Sequence, residues 1–149
     1  MMYFDKISIY VDAKRSDSDE LNHYGRIISL SKGLNIIAGD NTSGKTTLAK
    51  CLYYILGVEE IIDGKQNTSA LDRSVFQYFT SQDNEGEENI VQVESSYIIA
   101  QLHNEEDQII TVRRYIKDGN NKDFTQIDIW ECKEEDINKE TKYTSYYLH

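Results

Sequence analysis

The sequence predicts an α/β domain in which a strand, a glycine-bearing loop and a helix come first and an antiparallel β meander follows. Three observations predict it. The stretch Gly39-Asp40-Asn41-Thr42-Ser43-Gly44-Lys45-Thr46 fits a glycine, four free positions and Gly-Lys-Ser/Thr, the pattern of a phosphate-binding loop. An apolar run, Leu34–Ala38, precedes it, and Leu48, Leu52 and Ile55 follow at helical spacing with Cys51 on the same stripe. Residues 90–132 then hold three strand-like runs separated by turn residues.

The loop's chemistry follows from its residue types. Gly39 and Gly44 let the backbone turn sharply and bring its N–H groups close to an anion. Lys45 is the point charge for the terminal phosphates, and the Thr46 hydroxyl is placed to ligate Mg²⁺. The helix contributes its positive N-terminal dipole, and Gly57 is its expected C-terminal cap. The candidate nucleotide-binding residues are therefore Gly39, Asp40, Asn41, Thr42, Ser43, Gly44, Lys45, Thr46 and Thr47, with Lys45 as the candidate catalytic group and Thr46 as the metal ligand. An ordinary glycine-rich turn is the plainer alternative, and the strand–loop–helix order speaks against it.

In chain order, Tyr3–Val11 reads as a first strand, with Ile7, Ile9 and Val11 on one face. Residues 13–24 are polar and read as a loop, residues 25–30 as a second strand, and Ser31-Lys32-Gly33 as the turn into Leu34–Ala38, a strand suited to burial. After the helix, residues 58–68 read as irregular, with Asp63-Gly64-Lys65 as a turn. Residues 70–79 read as a short helix capped by Ser69, and 81–89 as an acidic loop. The meander strands are expected at 90–102, 108–117 and 124–132. In the middle one Ile110, Val112, Arg114 and Ile116 share a face while Arg113 sits with Thr111 and Tyr115. An arginine on an apolar face needs a partner. A carboxylate reached by an aliphatic stem is favoured over phosphate. Residues 133–149 show no clear periodicity and stay unassigned.

Composition narrows the function classes. The 149 residues carry a net charge of −10. Residues 1–58 hold 7 Lys/Arg against 6 Asp/Glu, whereas residues 59–149 hold 9 against 20. Such an acidic chain is poorly suited to neutralising nucleic-acid phosphates by itself, so DNA contact is expected only through a fuller assembly. No run approaches membrane-spanning length. The N-terminus lacks an apolar signal core, and two separated cysteines fit reduced thiols, so a cytoplasmic location is expected. Cys51, Cys132, His23, His103 and His149 show no metal-ligand spacing.

The layout resembles the N-terminal ATPase lobe of the SMC, RecN and RecF group of ABC-type ATPases. The resemblance is carried by Gly33-Leu34-Asn35-Ile36-Ile37-Ala38-Gly39, by Asn41-Thr42-Ser43-Gly44-Lys45-Thr46, by the aromatic-rich helix end Tyr53-Tyr54-Ile55-Leu56-Gly57, and by Ile110-Thr111-Val112-Arg113-Arg114 in the meander. It covers roughly residues 3–132 and is most specific over 33–57. It implies ATP and Mg²⁺ as ligands, head–head pairing around nucleotide, and work in DNA repair, chromosome maintenance or anti-phage defence. Lys14, Arg15 and Ser16 fall where such heads often touch the nucleotide, and Arg73 is a further candidate for phosphate or DNA.

Asp40 and Thr42 stand where many members have Pro and Gly. No Walker B Asp-Glu after an apolar strand and no signature Ser-Gly-Gly, both features of the family's C-terminal lobe, is found in this sequence; Ile61-Ile62-Asp63 and Ile127-Asp128-Ile129 do not serve. The expectation is therefore a single partial head, a fragment or a subunit completed by another lobe or chain. Its sections are 1–57 with the loop and helix, 58–89 irregular, 90–132 the meander and 133–149 the tail. A small complete P-loop kinase and a non-catalytic interaction module are the alternatives. Element order argues against the first, and thermal stability insensitive to Mg-ATP is the mark of the second.

Overall fold

A computed structural model describes residues 1–40, 44–63, 68–82, 85–118 and 124–148. Its backbone is one mostly antiparallel sheet with a single substantial helix on one face. The strands are β1 (Met2–Arg15), β2 (Leu21–Ser29), β3 (Tyr78–Gln82), β4 (Glu88–Asn104), β5 (Ile109–Lys117), β6 (Gln126–Trp130) and β7 (Thr144–Tyr147), and the helices are α1 (Lys45–Ile55) and the one-turn α2 (Glu60–Asp63). The order across the sheet is β2-β1-β4-β5-β6-β7, with β3 paired to the start of β4. β4, β5 and β6 form the antiparallel meander.

One face builds the core. Ile7 on β1, Ile98, Ala100 and Leu102 on β4, Val112 and Ile116 on β5 and Ile127 on β6 pack against Leu48, Cys51, Tyr54 and Ile55 of α1. The period-2 strand pattern and the 3.6-period helix stripe therefore meet in one layer. A smaller cluster of Val11, Ala13, Val91 and Val93 continues it, with Tyr24 and Phe79 in edge-to-face contact beside it.

Several sequence expectations are corrected. Residues 13–24 are not a loop: β1 runs on to Arg15 and β2 begins at Leu21, because Ala13, Lys14 and Arg15 each find partners on β4 and leave only a short turn. Residues 70–79 do not form a helix. Thr68–Ala70 and Arg73–Val75 are single 3₁₀ turns, and β3 follows, drawn into the ladder by Ile90, Val91 and Gln92. Residues 81–89 accordingly include strand at both ends. The tail supplies a 3₁₀ turn, Glu134–Asp136, and β7, the outermost strand beside β6.

The largest correction concerns Leu34–Ala38. These residues lie in no strand, and Leu34 and Ile36 are 86% and 83% exposed. The cause is local and global at once. Gly33, at φ 101°, and the Asn35 side chain close a turn: Asn35 Oδ1 accepts from Ser31 N–H at 2.8 Å, and its amide donates to the Ser31 carbonyl at 2.7 Å. Beyond that turn, among the described residues, no strand of this sheet pairs with the backbone of residues 34–38.

Candidate functional site

The helix start is set by backbone geometry. Gly44 caps α1 in the left-handed region at φ 82°, a conformation that costs a glycine nothing, and its carbonyl accepts from Leu48 N–H at 2.9 Å. The first turn of α1 carries no acidic side chain of its own. Lys45 Nζ donates to the Gly39 and Asp40 carbonyls, each at 2.6 Å, which folds the ammonium back over the loop.

A cavity of about 470 Å³ opens beside this turn. Gly39, Asp40, Gly44, Lys45 and Thr47 line it from the loop and helix, and Ile9, Val11, Gly25, Arg26 and Ile28 line it from β1 and β2. Ile37, Ala38, Leu48 and Ser74 complete the lining. Of the predicted site residues, Asn41, Thr42 and Ser43 lie outside the described residues. Thr46 is exposed at the second position of α1. Thr47 is committed elsewhere: its hydroxyl donates to Asp72 Oδ2. The Thr46 hydroxyl is a hard oxygen of the kind Mg²⁺ takes, but Thr46 is not among the residues that line the cavity.

Asp72 is a residue that sequence reasoning missed. Besides Thr47 it accepts from Lys50 Nζ at 2.6 Å, tying the 3₁₀ turn at Arg73–Val75 to the first two turns of α1. Burial pushes its carboxyl up, but the bonds from Lys50 and Thr47 outweigh that and hold it below its ordinary value. The same carboxylate adds to the burial that pushes the Cys51 thiol up to about 12. An acid preceding the candidate Arg73 was the only sequence signal. Arg73 itself is exposed, 3.5 Å from the Tyr78 hydroxyl, and does not line the cavity.

The far end of α1 is fixed as firmly. Gly57 at φ 71° donates to the Tyr54 carbonyl and Val58 to the Tyr53 carbonyl, both at 3.0 Å, the paired bonds of a Schellman cap. Arg114, 1% exposed, donates to the Tyr54 carbonyl, to the Phe124 carbonyl at 2.8 Å and to both oxygens of Glu59, itself wholly buried, at 3.0 and 2.7 Å. The arginine on the apolar face thus has its carboxylate partner, in the core rather than at the surface. Arg113 lies on the opposite face. It binds buried Asp128 at 2.8 Å and lies over the Tyr115 and Trp130 rings.

Lys14, Arg15 and Ser16 do not line the cavity. Arg15 makes a two-pronged pair with Asp17, both bonds at 3.0 Å. Arg26, on β2, does line it and was not a sequence candidate. Its signal was a lone cation in the run Gly25-Arg26-Ile27-Ile28, at the register position opposite Ile9.

A family model described as an AAA domain matches residues 21–146, most of the chain. The chain belongs to the AAA domain family. This family is part of the P-loop ATPase superfamily, is found in SMC-like proteins, and generally binds ATP with Mg²⁺. Curated proteins give no match, and neither do solved structures. The matched span of this AAA domain includes the loop, α1 and the meander. Among the described residues, no helix is long and apolar enough to cross a membrane, and no group of three or more His, Cys, Asp or Glu side chains is arranged to hold a metal ion.

Proposed function

We propose that this AAA domain is the ATP-binding N-terminal lobe of an SMC/RecF-like ATPase head, completed for hydrolysis by a C-terminal lobe on the same or another polypeptide. The observation that carries the reading is the exposure of Leu34 and Ile36 beside a formed phosphate-loop helix. In α/β nucleotide-binding folds the segment entering the loop is an inner strand of a covered sheet. Here its apolar residues point to solvent, which is how half of such a head looks without its other half.

In this reading the amides at Gly39–Gly44 and the first turn of α1 receive the phosphates. Lys45 leaves two neutral carbonyls for them, and Thr46 gives its hydroxyl to Mg²⁺. Thr47, held by Asp72, keeps the helix start in register. The Walker B carboxylates and the signature motif come from the completing lobe. Nucleotide-bridged pairing of two heads and work in DNA repair, chromosome maintenance or anti-phage defence follow from the same likeness, as does a cytoplasmic location. Contact with DNA belongs to the assembly, since this chain is acidic.

The test is calorimetric titration of Mg-ATP and Mg-ADP into the chain and into Lys45→Ala. Saturable binding that the substitution abolishes, with negligible turnover by the chain alone, is expected. Steady hydrolysis by the pure chain, lost in Lys45→Ala, would overturn the half-head reading.

A further inference from the structure

Among the described residues the cavity beside the phosphate loop has two cations in its lining, and they come from different elements: Lys45 at the start of α1 and Arg26 on β2. We propose that Arg26 is the second phosphate-binding cation of the nucleotide site, holding the phosphate chain from the side of the sheet. The inference rests on the ATP-binding reading above and adds a residue to it.

Register places Arg26 where this requires. In the β1–β2 ladder Ile28 lies opposite Ile7 and Arg26 opposite Ile9. Ile7 is wholly buried in the core cluster that includes Leu48 of α1. Arg26 therefore belongs to the face of β2 that looks toward the helix, two residues along from Ile28, which packs on that core. Its backbone position is tightly defined. β2 lies so close to β1 at Gly25 that a Cβ there would come within 2.8 Å of the Ile9 carbonyl oxygen. Arg26 is exposed and lines the cavity, so an anion entering from solvent comes within its reach.

Charge points the same way. Among the described residues Asp40 is the one acidic residue in the lining, set against Lys45 and Arg26. Without the arginine the cavity would be close to neutral in an acidic chain, a poor receiver for a triphosphate. A guanidinium fork also suits phosphate oxygens, which an ammonium meets only as a point charge. The cations after the first strand do not fill this place, because neither Lys14 nor Arg15 lines the cavity.

The experiment titrates Mg-ATP and Mg-tripolyphosphate into the chain and into Arg26→Ala, Arg26→Lys and Lys45→Ala, with thermal unfolding to verify that the variants fold. Arg26→Ala is expected to weaken both ligands roughly tenfold, the scale of a lost charge-assisted hydrogen bond, with Arg26→Lys in between. If Lys45→Ala abolishes binding while Arg26→Ala stays within about twofold of the parent, the proposal falls and the ATP-binding reading stands. If Mg-ATP weakens but Mg-tripolyphosphate does not, Arg26 reads the base or sugar, and the phosphate assignment is overturned. A parent chain that binds neither ligand defeats both.

Discussion

Breaking the Arg114–Glu59 pair is the sharpest test of how α1 is held. Arg114 makes four hydrogen bonds, to the Phe124 carbonyl, the Tyr54 carbonyl and both Glu59 oxygens, and its guanidinium lies 3.8 Å from the Tyr54 ring centre. Both partners are shut off from water. Arg114→Met keeps much of the volume but leaves a buried carboxylate and the Tyr54 carbonyl uncompensated. Removing one member of a buried pair costs about 3–5 kcal/mol. Out of a total stability of about 5–15 kcal/mol that is a large share. At about 2–4 °C per kcal/mol, the melting temperature falls by roughly 6–20 °C. Glu59→Gln, which keeps the shape and drops the charge, belongs at the lower end of that range. The double variant Arg114→Met/Glu59→Leu should cost clearly less than the sum of its singles, because neither charge is then stranded. Urea unfolding of the four proteins measures the cycle. A Glu59→Gln protein within about 1 kcal/mol of the parent, or singles that add within about 0.5 kcal/mol, would refute the reasoning.

Two further outcomes are expected. Native Cys51 should resist alkylation at pH 8 while Cys132 reacts, since burial together with the Asp72 charge pushes the Cys51 thiol up to about 12 and it has no exposed surface. The sign follows: the unfolded thiol ionises first, so above about pH 9 this site favours unfolding increasingly as pH rises toward 12, and Cys51→Ala removes that part of the alkaline slope; equal labelling of both cysteines in the folded chain would contradict this. Asp128 is buried, which pushes its carboxyl up, but Arg113, Gln126 and Ser145 together hold it below the usual value. A depressed carboxylate contributes stability at neutral pH and loses it as pH falls below the ordinary Asp range, so Asp128→Asn should cost about 2–4 kcal/mol at pH 7 and flatten the acid limb of the stability curve. An unchanged acid limb would count against the pair.

What was legible in the sequence was whatever local pattern decides. The glycine–lysine–threonine motif and the stripe Leu48, Cys51, Leu52, Ile55 mark the start and buried face of α1 because phosphate-loop geometry and helical period are short-range properties. Arg114 stood out for the same reason, since strand alternation put a charge on an apolar face. Its partner was not legible: Glu59 is 55 residues away, beyond the helix cap, and only the packed fold brings them together. Asp72 and Arg26 escaped likewise, one in a 3₁₀ turn and one on an edge strand, with no periodicity to flag them. The strand expected at Leu34–Ala38 failed for a different reason. Its composition is right for burial, but burial needs a neighbouring strand, and among the described residues none of this sheet runs beside it.

That failure separates two kinds of order in the molecule. α1 is clamped at its start through Thr47, Lys50 and Asp72, and at its end through Gly57, Arg114 and Glu59. The N–H groups that begin the helix are therefore presented at a defined place on the sheet. The segment entering the loop has only the local Asn35 turn to hold it, and its leucine and isoleucine side chains face water. If a second lobe lays a strand beside residues 34–38, burying Leu34 and Ile36 and pairing the backbone would draw the entering segment into the sheet. That would set Gly39 and Asp40 against a helix start that is already in position. Completion of the head and tightening of the phosphate site would then be one event, with nucleotide binding the more favourable the more fully residues 34–38 are covered.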